Sequence, residues 1–326
     1  MGLIRHNPVT LLILNRFIIL TGSPDSLSAP MGFYSVPSGS LFACPKAFSQ
    51  QPDYTIIVAI MKTSFIPTIM ILTPLLFPVF SVQASPVPSD DTLPRYVCPW
   101  TDAKIVVDGI PDEPAWTVAP MVTFLDATNR GPVRLATEAR ILYTDDAVYF
   151  SFYCDDKQIT SKMTRRDDNL FNEEVVEVFF SPSGDLSAYY EFEVNPLGTL
   201  LDLTVKNNFK ITDTSSGRIV DYSPGCDTNF AWNCKGIQWA AWQHKENDQL
   251  VGWSVELAVP FAGIERKTPS PGEIWRVNLY RIDRNQSDPK LDEYSAWSPT
   301  MQTPASFHCP HFFGFLEFAG KAEPAK

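Results

Sequence analysis

The chain has 326 residues, a formal net charge of −11 and 44% hydrophobic residues. An acidic balance of this size lacks the clustered positive charge that nucleic acid and anionic membrane surfaces require, so neither is expected as a partner. The acid excess belongs to the later part of the chain, because only Asp25 and Asp53 precede residue 84, against Arg5, Arg16, Lys46 and Lys62.

Residues 61–84 read as a secretory signal. Met61-Lys62 supplies a short positive start, FIPTIMILTPLLFPVF an apolar stretch, and Val82-Gln83-Ala84 a small-residue cleavage site. Pro67, Pro74 and Pro78 and its shortness make that stretch a poor membrane helix, so no stable span is expected after cleavage. Residues 1–60 are then expected to be a disordered extension ahead of a true start at Met61. Export implies a secreted or periplasmic protein and permits disulfides. Of the six cysteines, Cys44 lies upstream and Cys98, Cys154, Cys226, Cys234 and Cys309 remain. That number is odd, so at least one thiol stays unpaired within the chain, while Cys226 and Cys234 are close enough to bridge a loop. Residues 85–100 read as a linker and 101–320 as one domain.

Within that domain, Lys104–Val107 is a β-branched run ending in the turn pair Asp108-Gly109. Pro111 and Pro114 exclude a long helix, leaving Trp116 to anchor a loop or a single helical turn. Thr137–Leu142 and Ala147–Cys154 alternate and flank a polar turn, which predicts a hairpin. Two further strands follow at Val175–Phe180 and Tyr189–Val194. Alternation gives the first an apolar face of Val176, Val178 and Phe180, with Glu177 on the other side. In the second, Tyr190, Phe192 and Val194 oppose Tyr189, Glu191, Glu193 and Asn195. Lys206–Asn233 is polar and reads as a long loop. Strands are expected again at Ile237–Gln243, Gly252–Val259, Gly272–Arg281, Tyr294–Trp297 and Phe313–Phe318. Strands at this spacing with little helical periodicity predict an all-β fold, a two-sheet antiparallel β-sandwich.

The face bearing Glu177, Glu191, Glu193 and Asn195 reads as the wall of a polar groove, since carboxylates accept the hydroxyl arrays of sugars and aromatics stack on their ring faces. Ordinary solvent-facing strand positions are the alternative. Asn278 is a ligand candidate on a neighbouring strand, whereas Arg281 is expected to pair with an acid such as Glu256. Trp239 and Trp242 are the tryptophans freest to be exposed. Glu174 and Glu177 fall on opposite faces of a strand, which argues against a glycosidase pair. With no nucleophile elbow, phosphate-binding glycine loop or His-Glu-x-x-His, neither intrinsic catalysis nor a nucleotide cofactor is expected. His308-Cys309-Pro310-His311 invites a metal reading but lacks further ligands. Structural Ca2+ fits better, in turns such as Asp108/Asp112 or Asp145/Asp146.

Seven pieces, in order, carry a resemblance: VVDGIPDEPAW, ARILYTDDAVYFSFYCDD, RDDNLFNEEVVEVFF, YYEFEVNPLG, GWSVELAVPF, GEIWRVNLYR, and YSAWSP with FHCPHFFGFLEF. Together they make the region from about Lys104 to Phe318 resemble the family-nine carbohydrate-binding modules and their relatives. The resemblance implies a β-sandwich that binds polysaccharide or oligosaccharide ends without catalysis, often with structural calcium, and often alongside glycoside hydrolases. The family's stacking Trp and its Glu six residues later correspond to Phe171 and Glu177. The family's Arg on the next strand falls at Glu193, a reversal of charge. Its second stacking Trp falls in a loop that here offers Phe307 and His308. A glycan is therefore the expected ligand, at Phe171, Glu177, Asn278, Phe307 and His308. Two alternatives come from other classes. One is a DOMON-type sandwich holding haem through Met163, Met301, His308 or His311; the other is a structural envelope protein with no small ligand.

Overall fold

Alternating apolar residues drive two sheets face to face in the computed structural model, which describes residues 84–321 and two earlier strands, β1 (Thr10–Leu14) and β2 (Phe17–Thr21), paired with one another. Apart from Ala84, the expected export signal lies outside the described residues, as does most of the extension before it.

From Ser85 the strands begin with β3 (Ser85–Pro86), β4 (Arg95–Cys98), β5 (Val122–Thr123), β6 (Leu125–Asp126), β7 (Thr137–Tyr143) and β8 (Ala147–Asp155). They continue with β9 (Val175–Ser181), β10 (Ala188–Val194), β11 (Leu200–Asn207), β12 (Lys210–Thr214), β13 (Gly217–Asp221) and β14 (Cys226–Asn229). The last are β15 (Gln238–Glu246), β16 (Gln249–Pro260), β17 (Ile274–Asp283), β18 (Glu293–Ala296) and β19 (Gly314–Phe318). A nine-stranded sheet runs β14-β11-β10-β9-β17-β18-β6, and β19 joins β17 to β4. All its pairings are antiparallel except β19 with β4. A five-stranded antiparallel sheet, β15-β16-β8-β7-β5, covers one of its faces.

The core between the two sheets is built from the residues that alternation turns inward. Val176, Val178 and Phe180 of β9, Phe192 of β10 and Trp275, Val277 and Leu279 of β17 meet Phe150 and Phe152 of β8 and Trp253, Val255 and Leu257 of β16. Phe180 sits at its centre, stacked on Phe150, Phe192 and Trp275. Burying side chains of this size stabilises by about 1.5–3 kcal/mol each.

Four expectations are corrected. Residues 85–100 are not a free linker, because β4 extends the large sheet through β19 and β3 pairs with β13. Lys206–Asn233 is not one loop; it contains β12, β13 and β14, and the β12–β13 ribbon is mostly exposed with Val220 alone fully buried, so period-two alternation left little trace there. Lys104–Val107 is not a strand. The amide of Val106 donates to Glu113, and those of Asp108 and Gly109 donate to Glu256, so side chains replace a ladder. Gly109 is required in that turn, since its φ is 92° and a Cβ would come within 2.8 Å of the Ala241 backbone. Cys226 and Cys234 form no bridge, and all five cysteines among the described residues are free thiols.

Candidate functional site

The second face of the large sheet carries the carboxylates. Glu177 on β9 is paired across the ladder with Glu193 on β10 and with Tyr280 on β17, while Glu191 lies opposite Phe179. The strand pattern read from the sequence therefore places Glu177, Glu191, Glu193, Tyr189 and Asn278 on one side of the sheet.

That side is not an open groove. Glu177, Glu191 and Glu193 are 2%, 3% and 0% exposed, because a second apolar layer roofs them. The layer contains Leu170, Val175, Phe179, Tyr189, Leu203, Tyr280, Phe307 and Phe313, with Met163 and Phe171 packed at its margin. The segment before β9 and the chain between β18 and β19 supply the roof. Phe307 lies flat on Tyr280, with ring centroids 4.1 Å apart. His308 leans over Phe179 at 5.4 Å and pairs its Nδ1 with the Tyr189 hydroxyl at 2.9 Å. The same nitrogen is 3.8 Å from Glu191 Oε2.

The electrostatics follow from this burial. Glu177 and Glu193 are pushed well above the usual carboxylate range, first by burial and then by the neighbouring carboxylates, and Glu191 is raised by burial. For His308, burial disfavours the imidazolium, yet Glu191 and the Cys226 thiol together hold its pKa up at about 9. The Phe171 amide beside Glu193 opposes that group's rise, but neither Glu193 oxygen has a hydrogen-bond partner, and Glu177 Oε1 and Glu191 Oε2 also lack one. One oxygen from each of the three carboxylates lies within 4.8 Å of the others.

The five expected ligand residues separate by role. Phe171 and His308 sit at the edge of the roof and are partly open to solvent, Glu177 lies beneath it, and Phe307 is buried within it. Asn278 is a fold residue. Its amide donates to Tyr280 Oη and the Ser298 carbonyl, and its Oδ1 accepts from the Leu279 and Ser298 amides. Asn195 likewise spends its side chain on the Met163 carbonyl and the Leu197 and Thr199 amides. Arg284 was missed from sequence. It packs over Tyr294, donates to Asp292, Tyr294 and the Phe171 carbonyl, and so ties the Phe171 turn to the end of β17.

A second buried group of acids lies on the inner side, where Asp156, Glu174 and Asp283 surround Arg281. The partner expected for Arg281 is corrected: Glu256 instead accepts from Trp116 Nε1 and the Asp108 and Gly109 amides. Glu174 and Glu177 fall into different groups, as their spacing indicated. In the acidic turns expected for calcium, Asp145 accepts from Trp100 and Lys321 and Asp108 accepts from the Ile110 amide. His308 and His311 do not converge on a common ligand, because His311 Nδ1 meets the Tyr222 hydroxyl. An open depression lies beside the roofed site, lined by Tyr189, Tyr190, Lys206, Asp227, Asn229 and Arg266 among others.

Residues 129–318 match the model of the family described as Carbohydrate-binding family 9. Among solved structures, the chain is similar to a Bacteroides uniformis ATCC 8492 protein provisionally described as carbohydrate-binding, at 20% identity and a TM-score of 0.48, covering 69% of this chain and 97% of that one. It is also similar to a family 9 carbohydrate-binding module of Caldicellulosiruptor kristjanssonii. In that module's cellotriose complex the identity is 12% and the TM-score 0.46, over 71% of this chain and 96% of that one. In its glucose complex they are 13% and 0.47, over 71% and 99%. No match is found among the curated proteins.

Proposed function

The chain belongs to carbohydrate-binding family 9, and from that premise we propose that it recognises a soluble or polymeric glycan at the edge of the roofed carboxylate face. The observation that carries the placement is the meeting of Phe171, Glu177 and His308 on one side of the large sheet. An aromatic and an imidazole are open to solvent there, above a carboxylate that is 2% exposed. Phe171 offers a flat apolar surface for a sugar ring, His308 donates to hydroxyl oxygens, and Glu177 accepts from hydroxyls once the edge of the roof yields. Phe307, stacked on Tyr280, fixes the backbone that presents His308. No residue of this set is asked to break a bond, so the reading is of binding without catalysis.

Two further proposals accompany it. Residues 61–84 would export the protein, and structural Ca2+ would belong to the described domain. Its acidic turns, Asp108/Asp112 and Asp145/Asp146, and its interior carboxylate groups are the places to look for the ion. Haem ligation is not favoured, because His308 and His311 each meet a tyrosine hydroxyl and Met301 is exposed.

The test is a glycan-array screen of the full chain with and without a chelator, repeated with Phe171→Ala and Glu177→Gln. Binding that both substitutions weaken tenfold or more, about 1.4 kcal/mol each, supports the site. Binding that neither changes moves the ligand elsewhere, with the depression at Tyr190, Asp227 and Arg266 the next place to mutate.

A further inference from the structure

One corner of the large sheet's inner face stays open to solvent. Across β10, β11 and β14 the register sets Tyr190, Thr204 and Asn229 in one row and Ala188, Lys206 and Asp227 in the next. Both rows share a face with Phe192 and Leu200 of the core, because residues two apart along a strand point the same way. Along β11 that face runs from buried Leu200 to half-buried Thr204 and exposed Lys206, so it turns polar as it leaves the core. Tyr190 marks the boundary. It is half-buried, its ring centroid lies 5.1 Å from that of Trp232, and its hydroxyl donates to the Ile264 carbonyl at 3.2 Å. With Arg266 these residues line an open depression of about 460 Å³, within the ~300–1,000 Å³ of small-ligand sites.

The charges at this corner differ from those elsewhere in the chain. Arg134, Arg166, Arg281 and Arg284 are each held by a carboxylate. Lys206 and Arg266 are exposed and enter no ion pair among the described residues. Lys206 stands opposite Asp227 across the ladder, yet Asp227 accepts instead from Asn208 Nδ2 at 3.3 Å. Arg266 follows Glu265, whose left-handed backbone (φ 56°) ends the helical turn Phe261–Ile264 and brings Arg266 to the depression. Asp227 is the one carboxylate among the lining residues.

We infer that this depression is a second binding site, distinct from the roofed edge, for a saccharide carrying an anionic group, a uronate carboxylate or a sulphate ester. The inference rests on the carbohydrate-binding reading for the class of ligand, and on none of Phe171, Glu177 and His308. Arg266 and Lys206 receive the anion, the planar guanidinium fork matching its paired oxygens. Asp227 accepts from sugar hydroxyls, and Thr204 and Asn229 add a hydroxyl and an amide beside it. Tyr190 gives the C–H face of the ring an aromatic surface, held in place by its hydrogen bond to Ile264. Two cations against one carboxylate, with neutral polar groups between them, suit a polyhydroxylated anion. A neutral sugar would leave both cations without a partner.

The experiment is calorimetric titration of the full chain with trigalacturonate, its methyl ester and sulphated neocarrabiose, with a chelator present so that no metal ion bridges probe and protein. At least one acidic probe is expected to bind, more weakly as salt is raised. Its affinity should fall about tenfold in Arg266→Gln and in Lys206→Gln. Phe171→Ala should leave it unchanged, as should Lys267→Gln, which removes an exposed cation next to Arg266 that does not line the depression. The acidic probe that binds identifies the anion. Failure of both acidic probes to bind would overturn the inference, as would the ester binding as tightly as the acid, or an affinity that survives both substitutions. Neutral glycans are tested on the same preparation. Their failure to bind beside intact binding of an acidic probe counts against the edge site alone.

Discussion

The two faces of the large sheet bury acids to the same depth and treat them differently. On the inner face Asp156 and Asp283 share one guanidinium that is itself 1% exposed, with Glu174 beside them. On the outer face no guanidinium among the described residues pairs with Glu177, Glu191 or Glu193, and the edge-lying His308 pairs with Glu191. A charge group that is matched and fully enclosed behaves as part of the scaffold. One that is left unmatched beneath partly open aromatic residues is where a ligand can supply what is missing.

The contrast breaks most sharply at Arg281. Replacing it by Met strands the inner acids without a partner and should cost about 3–5 kcal/mol in denaturant unfolding, whereas a loss under about 1 kcal/mol would show that the inner group is no better matched than the outer one.

A second prediction concerns pH. Burial first, and then Asp156, raises Glu174 from 4.5 to about 8 in the folded chain. A folded value above the unfolded one means stability that is complete below the unfolded value and is lost as pH rises through the folded value. Thermal stability should therefore decline between pH 4.5 and about 8, by at most about 1.4 kcal/mol per pH unit for one proton. Glu174→Gln should flatten that decline, which melts at stepped pH would reveal.

Glu193→Gln sharpens the comparison from the other side. Burial pushes its carboxyl and that of Glu177 well above the usual range, so the amide should change little where both are protonated and should stabilise by up to about 1 kcal/mol once rising pH ionises the pair across the ladder, which melts at stepped pH would show. The smallest effect is expected at Trp242, 51% exposed on the edge strand of the smaller sheet. Trp242→Ala should stay within about 0.5 kcal/mol in stability and leave glycan binding unchanged; weakened binding would move recognition to that sheet.

Much of the fold was legible because buried strands write their period into the chain. Val176, Val178 and Phe180, or Trp253, Val255 and Leu257, can be assigned to the core without coordinates. The β12–β13 ribbon could not be read, since Val220 is its one fully buried residue and no sustained alternation is imposed on it. Lys104–Val107 misled for the opposite reason: β-branched residues occupy a segment in which the Val106 amide is satisfied by Glu113, and the turn that follows is held by Glu256, far along the chain. For the candidate site, alternation put Glu177, Glu191 and Glu193 together correctly. It gave no hint of the roof, because Phe307, Phe313 and Leu170 arrive from segments with no regular period. Asn278 was singled out for lying on that face, and only its neighbours show that its hydrogen bonds are spent at home.

The sequence by itself determined β7 to β10 and β15 to β19, the side of each of these strands that turns inward and the shared face of the three glutamates, because these depend on a local two-residue repeat. Tertiary structure alone decided that the carboxylate face is covered, that Arg281 serves Asp156 and Asp283 instead of Glu256, and that Arg284 holds the Phe171 turn. Those outcomes depend on which distant segments pack together, and solvation and charge pairing are settled only when they do.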